Sequence, residues 1–397
     1  MRRGVLALAA LLALATVSAR AQNGVTESEI RIGQTMPYSG PMSGYSLLGK
    51  LTQAYFEKVN AEGGMAGRKL KLISLDDAYS PPKTVEHTRR LVEQDDVLLV
   101  FGTLGTPTNT AIHQYLNNKG VPQLFITSGA TKWADPKQFP WTMPGMASYQ
   151  SEGVVYAKHV LATKPDGKIA ILSQNDDFGR DYVAGFKRGL GAKAASMIVA
   201  EAVYETTQPT IDSQIAALKA SGANVLFGVA IGKFGSQMIR RVAEMGWKPD
   251  LFVVPTSVTS IATILGPAGF DNATGLVSAN YQKNVNDPQW AESPDVREYF
   301  AFMKQYLPSA DIKDTTYVTS YITTTLLIKV LRACGDDFSR ANVMKQASSL
   351  KGVELPLLLP GVTVTTGADD YMPFQQLRLQ RFDGKSWVAF GDLLDDQ

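Results

Sequence analysis

Groups able to carry acid–base, nucleophilic or metal chemistry are few in this chain and stand apart from one another. The three histidines, His87, His113 and His159, fall singly on expected helices, where a half-exposed surface histidine is the ordinary outcome and a ligand or base the rare one. No Gly-x-x-x-x-Gly-Lys phosphate loop, His-Glu-x-x-His pair or Gly-x-Ser-x-Gly elbow occurs. Gly189-Leu190-Gly191-Ala192-Lys193-Ala194 has a loose dinucleotide-like spacing. It follows a helix and precedes a strand, the reverse of what pyrophosphate binding needs, so it reads as a helix cap. Asp76-Asp77 and Asp176-Asp177 each stand just past a strand, where acidic turn residues are ordinary and a metal site is the weaker reading. No catalytic residue, metal set or cofactor is expected.

What remains is a set of small polar loops at the carboxyl ends of expected strands, where open α/β sheets take their ligands. They are Tyr38 to Tyr45, Gly102 to Asn109, and Thr127-Ser128-Gly129-Ala130-Thr131. The last two offer hydroxyls and free backbone N–H groups, and the 102–109 loop leads into a helix start. Such donors suit a carboxylate without needing a counter-charge. Taken singly, each loop is explained by turn and cap preferences; three at one sheet edge put a binding site on an equal footing with that explanation.

The elements that must hold these loops alternate regularly. Strands are expected at Ile30–Gly33, Lys69–Leu75, Val97–Phe101 and Pro122–Ile126. Between them fall helices from about Leu47 to Asn60, Ser80 to Gln94 and Thr108 to Asn118. The first helix places Leu48, Leu51, Tyr55 and Val59 on one face. After the proline-rich Phe139 to Pro144 a second series begins. Its helices are Ser151–Ala162, Arg180–Leu190, Thr210–Ala220 and Phe234–Glu244; its strands are Lys168–Leu172, Met197–Val203, Val225–Val229 and Leu251–Val254. Apolar strands separated by amphipathic helices imply βαβ units and parallel sheets. The last third reads as helices at Pro294–Tyr306, Thr319–Ala333 and Ser339–Leu350, then a hairpin of Leu377–Phe382 and Ser386–Phe390 turning at Asp383-Gly384.

The amino terminus reads as an export signal. Arg2 and Arg3 precede the apolar run Val5 to Val17, and Ala19 and Ala21 give small residues at cleavage spacing. The run is shorter than the roughly 20 residues that cross a bilayer. Gln22 follows the cut, and the single cysteine, Cys334, is far away, so no lipid anchor or internal disulfide is expected. The formal charge of +2 falls to 36 basic against 37 acidic residues once Arg2, Arg3 and Arg20 are lost, which leaves no basic footprint for nucleic acid. About 376 residues remain, more than one core usually supports, so two domains are expected.

Several motifs together resemble the periplasmic leucine/isoleucine/valine-binding proteins of ABC transporters. They are Ile30-Arg31-Ile32-Gly33 with Ser39-Gly40-Pro41, Asn60-Ala61-Glu62-Gly63-Gly64 with Gly67-Arg68-Lys69-Leu70, and Asp76-Asp77 before Pro81. Gly120-Val121-Pro122, Asn175-Asp176-Asp177-Phe178-Gly179 and Gly275-Leu276-Val277 continue the likeness across the whole mature chain. The resemblance implies an α/β fold of two doubly wound parallel-sheet lobes, the type I periplasmic binding fold, joined by a three-crossing hinge. It implies an export signal over 1–21, a first lobe of 22–144 plus 277–372 and a second of 145–276 plus 373–397. It further implies a periplasmic monomer that hands a small molecule to the membrane permease subunits of an ABC transporter. A ligand-sensing receptor domain is the alternative from another class.

Carried over by position, Thr106 resembles the hydroxyl that holds the ligand carboxylate, and Gly129 a residue whose backbone faces it, with Ala130 beside it. Thr131 resembles a contact to carboxylate and ammonium, and Tyr45 and Phe178 flanking aromatics. Two positions depart from the amino-acid binders: Thr256 stands where they place an acid for the ligand ammonium, and Ile231 where they place a tyrosine. Tyr79 and Gly105 stand where those proteins have a cysteine pair. These departures imply a small carboxylate lacking an α-ammonium group, with an aromatic acid the favoured guess and a branched-chain amino acid the alternative.

Overall fold

The computed structural model describes residues 23–312 and 314–395; the expected signal over 1–21 and its cleavage point lie outside them. Two sheets organise the chain. The first is wholly parallel, in the order β2-β1-β3-β4-β5, from β1 (Glu29–Met36), β2 (Lys69–Asp76), β3 (Leu99–Phe101), β4 (Gln123–Ile126) and β5 (Thr142–Pro144). The second runs β12-β11-β10-β9-β8-β6-β7. Its members are β6 (Ile169–Gln174), β7 (Ile198–Tyr204), β8 (Val225–Val229), β9 (Leu251–Val253), β10 (Val277–Asn280), β11 (Leu377–Phe382) and β12 (Trp387–Leu394). Only the β10–β11 and β11–β12 pairs are antiparallel. Strands β3, β4, β6, β8 and β9 are buried along their whole length, as sheets covered by helices on both faces require.

The expected helix faces fold as read. In α1 (Ser46–Ala61), Leu48, Leu51, Tyr55 and Val59 are all buried, and Gly63 and Gly64 beyond its end take positive φ, the left-handed stop that glycine allows. Helix α2 (Pro81–Glu93) begins with prolines in its first turn. The expected helix from Thr108 to Asn118 is instead two short ones, α3 (Thr106–Thr110) and α4 (His113–Asn118). Asn109 Nδ2 donates to the Gly105 carbonyl at 2.6 Å and Thr110 Oγ1 to the Thr106 carbonyl at 2.7 Å. Such side-chain bonds compete with the helix ladder.

The chain passes between the sheets three times: after β5, after β10, and before β11. The first passage follows the proline-rich segment, as expected. The second comes later than expected. Val277–Asn280 pairs with β9 and with Leu379 and its neighbours in β11, so these residues, assigned above to the first lobe, lie in the second sheet. A four-residue strand just beyond a Gly275 turn carries too little periodicity to announce itself. Beyond it, the helices Pro294–Tyr306 and Thr316–Ala333 pack on α1, returning the chain to the first lobe. No helix of the described residues is long and apolar enough to cross a membrane.

One helix pair matters for the cleft. α5 (Tyr149–Thr163) and α6 (Asp177–Leu190) touch backbone to backbone through glycines. A Cβ on Gly153 would stand 2.6 Å from both the Phe186 nitrogen and the Tyr182 carbonyl oxygen, and one on Gly189 would stand 2.7 Å from the Ala157 Cβ. Replacing Gly153 by Ala adds about 1 kcal/mol of helix propensity but forces two backbones apart, which costs about 1–3 kcal/mol. A net loss of stability is expected for Gly153→Ala in urea unfolding. A more stable variant would show that the helices can separate freely.

Candidate functional site

The lobes enclose a cavity of about 100 Å3 whose walls come from both. The first lobe contributes Tyr45, Leu48, Leu104 and Thr127; the second contributes Ile231, Thr256, Ser257, Gln380 and Trp387; the hinge segment after β10 closes one end with Tyr281 and Gln282. Lys283 is the one charged side chain lining it among the described residues, and its Nζ is held by both Asp295 carboxylate oxygens at 2.7 and 2.9 Å. The wall is otherwise aromatic, aliphatic, hydroxyl and amide, with no free cation.

The lobes meet around this cavity. Tyr45 Oη donates to the Ser257 carbonyl at 2.8 Å. The Met42 sulfur lies 2.6 Å from where a Cβ on Gly232 would stand, and the φ of +53° there favours glycine. Outside this cavity, Lys132 pairs with Asp177 at 2.5 Å.

Three of the residues carried over from the sequence, Tyr45, Ile231 and Thr256, line the cavity together. The other five do not line it, and Ala130 and Thr131 belong to a separate pocket with Asp177 and Asp181. Thr106 is buried at the start of α3, its hydroxyl 2.8 Å from that of Ser128; Ser128 also accepts from Trp133 Nε1 at 2.9 Å. Gly129 accepts the Tyr149 N–H at 2.8 Å, and the Tyr149 ring lies directly over it, 2.8 and 2.9 Å from where a Cβ would stand. The Tyr149 hydroxyl faces Ser128, the Gly129 backbone and Thr106, so this cavity-lining phenol shares the hydroxyl cradle read from the sequence. Ala130 is buried, its carbonyl accepting from the Trp133 N–H at 3.1 Å. Thr131 gives its N–H and hydroxyl to Asp181 of α6 at 2.7 and 2.9 Å. Phe178 is buried edge-on to Tyr149 at 5.2 Å and to Tyr182 at 5.4 Å.

The acidic pairs cap turns. Asp76 accepts from the backbone of Tyr38, Ser39 and Ala78, and Asp176 caps α6 through Phe178 and Gly179. His113, expected to be half-exposed, is only 9% exposed, because Trp133 and Phe139 pack edge-on against it. The Tyr79 ring packs on Gly105, so the two positions matched to a cysteine pair are indeed neighbours, filled by an aromatic ring.

Sequence reading missed Glu152. It is fully buried on α5 and reaches the cleft from behind Thr256. It accepts from the Thr256 hydroxyl at 3.0 Å, the Thr256 N–H at 3.2 Å and the Tyr156 hydroxyl at 2.9 Å. These hydrogen-bond partners are all neutral. Burial raises its carboxyl to a pKa of about 7, although the bonds from Thr256, Tyr182 and Tyr156 pull the other way. The signal was present: Tyr149, Glu152 and Tyr156 recur on one face of a helix that is otherwise apolar there. A folded-state value above the ordinary 4.5 favours the protonated form. The wild-type protein therefore loses stability as the pH climbs from about 4.5 to about 7, and the penalty is absent below that window. Glu152→Gln lacks this titration, so denaturant unfolding across pH 4.5–8 should move the stability difference in the variant's favour, by up to a few kcal/mol. Parallel curves would show that Glu152 titrates normally.

Comparison with known proteins agrees with this architecture. A profile described as periplasmic binding protein matches residues 29–386. A Leu/Ile/Val-binding protein homolog 2 of Brucella abortus is 24% identical over 339 residues, covering 84% of this chain and 86% of that protein. The solved branched chain amino acid ABC transporter protein of Thermus thermophilus with bound valine superposes with a TM-score of 0.82 at 14% identity, over 94% of this chain and 97% of that one. A fatty acid ABC transporter substrate-binding protein of Thermomonospora curvata gives a TM-score of 0.78 at 17% identity, over 95% of each chain. With the profile spanning nearly all of the sequence and two parallel-sheet lobes closing on one cavity, this chain belongs to the periplasmic binding protein family.

Proposed function

We propose that the chain is the periplasmic solute-binding component of an ABC importer, exported by its amino-terminal signal. It captures a small carboxylate between its lobes and presents it to the membrane permease subunits, with no catalytic step. The observation that carries this reading is the cavity walled by both lobes and spanned by the Tyr45–Ser257 hydrogen bond, the arrangement that hinge closure uses to bury a ligand.

An acid without an α-ammonium group, with an aromatic acid as the favoured member, is supported by the wall. Tyr45, Tyr149, Trp387 and Ile231 give a flat apolar body surfaces to pack on. Thr256 offers no negative charge, and an unpaired ammonium enclosed there costs several kcal/mol. The relative named for fatty acids is named for acids that carry no ammonium. A second reading, a branched-chain amino acid, is favoured by Glu152. Its buried carboxyl, raised to a pKa of about 7, accepts from the Thr256 hydroxyl, and an enclosed ammonium would draw it to its ionised form.

A thermal-shift panel separates the two readings, because a ligand at 100 times its dissociation constant stabilises by about 2.7 kcal/mol. Benzoate- and cinnamate-type acids should raise the unfolding temperature, and leucine, isoleucine and valine should not; the reverse pattern establishes the amino-acid reading. With whichever compound binds, small-angle scattering should show a smaller radius of gyration than without it. An unchanged profile with proven binding would contradict capture by closure.

A further inference from the structure

At the hinge end of the cavity most polar side chains are already engaged. Asn280 Oδ1 accepts the Tyr281 and Gln282 N–H groups, Gln282 and Thr319 hydrogen-bond each other, and Asn284 donates to the Trp387 carbonyl at 3.3 Å. Trp387 Nε1 donates to the Thr259 carbonyl at 2.8 Å. Among the described residues, two buried side-chain atoms of residues that line the cavity lack a partner at full hydrogen-bonding geometry: Gln380 Nε2 and the Tyr281 hydroxyl, which has only the Gln282 side chain beside it. Gln380 is 5% exposed and stands on β11 directly opposite Ser278 of β10 and Ala389 of β12. Tyr281 is 1% exposed, its ring stacked on Phe374 at 4.6 Å.

A buried donor without an acceptor is costly, and replacing it by an apolar group of the same shape is often neutral or stabilising. Both residues line the cavity, and each unpaired atom is itself buried in its wall.

We propose that Gln380 and Tyr281 form a second polar subsite at the hinge end of the cavity, which takes a hydrogen-bond acceptor carried on the far end of the ligand. The inference rests on capture between the lobes. It narrows the substrate class to elongated molecules with two polar ends, such as an acid bearing a second carboxylate, carbonyl or hydroxyl oxygen. Gln380 and Tyr281 then discriminate such molecules from analogues with a bare apolar tail. A site built to hydrogen-bond a group rejects the analogue that lacks it, because its own donors are left unpaired.

Calorimetry with two matched pairs tests this: benzoate against terephthalate, and norvaline against glutamate. Within the pair that binds, the member with the distal acceptor should bind at least about tenfold more tightly. Gln380→Leu should erase that preference, weakening the member with the distal acceptor at least about tenfold more than the simpler member. Tyr281→Phe, which keeps the stacked ring, should reduce the preference. A second readout excludes a merely structural role: without any probe, Gln380→Leu should unfold at an equal or higher temperature than wild type. Equal affinities within the binding pair, a preference that survives both substitutions, or a clearly less stable Gln380→Leu would overturn the subsite. Failure of all four probes to bind would contradict the capture of small acids itself, a result distinct from the loss of preference.

Discussion

The cavity of this protein has no existence within either lobe. Its walls come from two separate sheets, and they meet only where the lobes touch. The contacts that bring them together are chemically specific: a tyrosine hydroxyl on a backbone carbonyl, a threonine on an aspartate, a lysine on the first residue of a helix, a methionine against a glycine. Such small contacts suit closure that must reverse, because exposed ion pairs and single hydrogen bonds each contribute about 1 kcal/mol. In the capture proposed above, most of the closing free energy would come from what the cavity encloses.

The second-lobe wall is set by a different constraint. Gly153, Gly185 and Gly189 let α5 and α6 approach backbone to backbone. That approach aligns Tyr149, Phe178 and Tyr182 as one aromatic group and turns Glu152 toward Thr256. One helix thereby supplies both a ring that covers the Gly129 backbone and a buried acid at the opposite corner of the cleft. The chain lacks the acid that the resemblance places at position 256, yet a carboxylate reaches that residue from another element.

Much of the fold was legible because its signals are local. The buried runs of β8 and β9, the Leu48 to Val59 face of α1, the Pro81 helix start and the Asp383-Gly384 turn all follow from short stretches of sequence. What escaped depended on tertiary context. Val277–Asn280 is a strand because β9 and β11 flank it, not because of its own four residues. The split between α3 and α4 comes from threonine and asparagine side chains competing for carbonyls. Of the site, Tyr45, Ile231 and Thr256 were found through resemblance, which transfers loop positions. Glu152, Gln380 and Tyr281 were not, because each matters through what it lacks or what stands behind it, and neither property is written in a loop motif.

Native mass spectrometry of the protein released gently from the periplasm, followed by denaturation and identification of what comes off, tests the central claim most directly. Interlobe capture predicts one small organic molecule bound one-to-one, carrying a carboxylate. A molecule with no acidic group would contradict the ligand class. A protein that arrives empty and gains mass with none of a broad set of small acids would contradict capture itself.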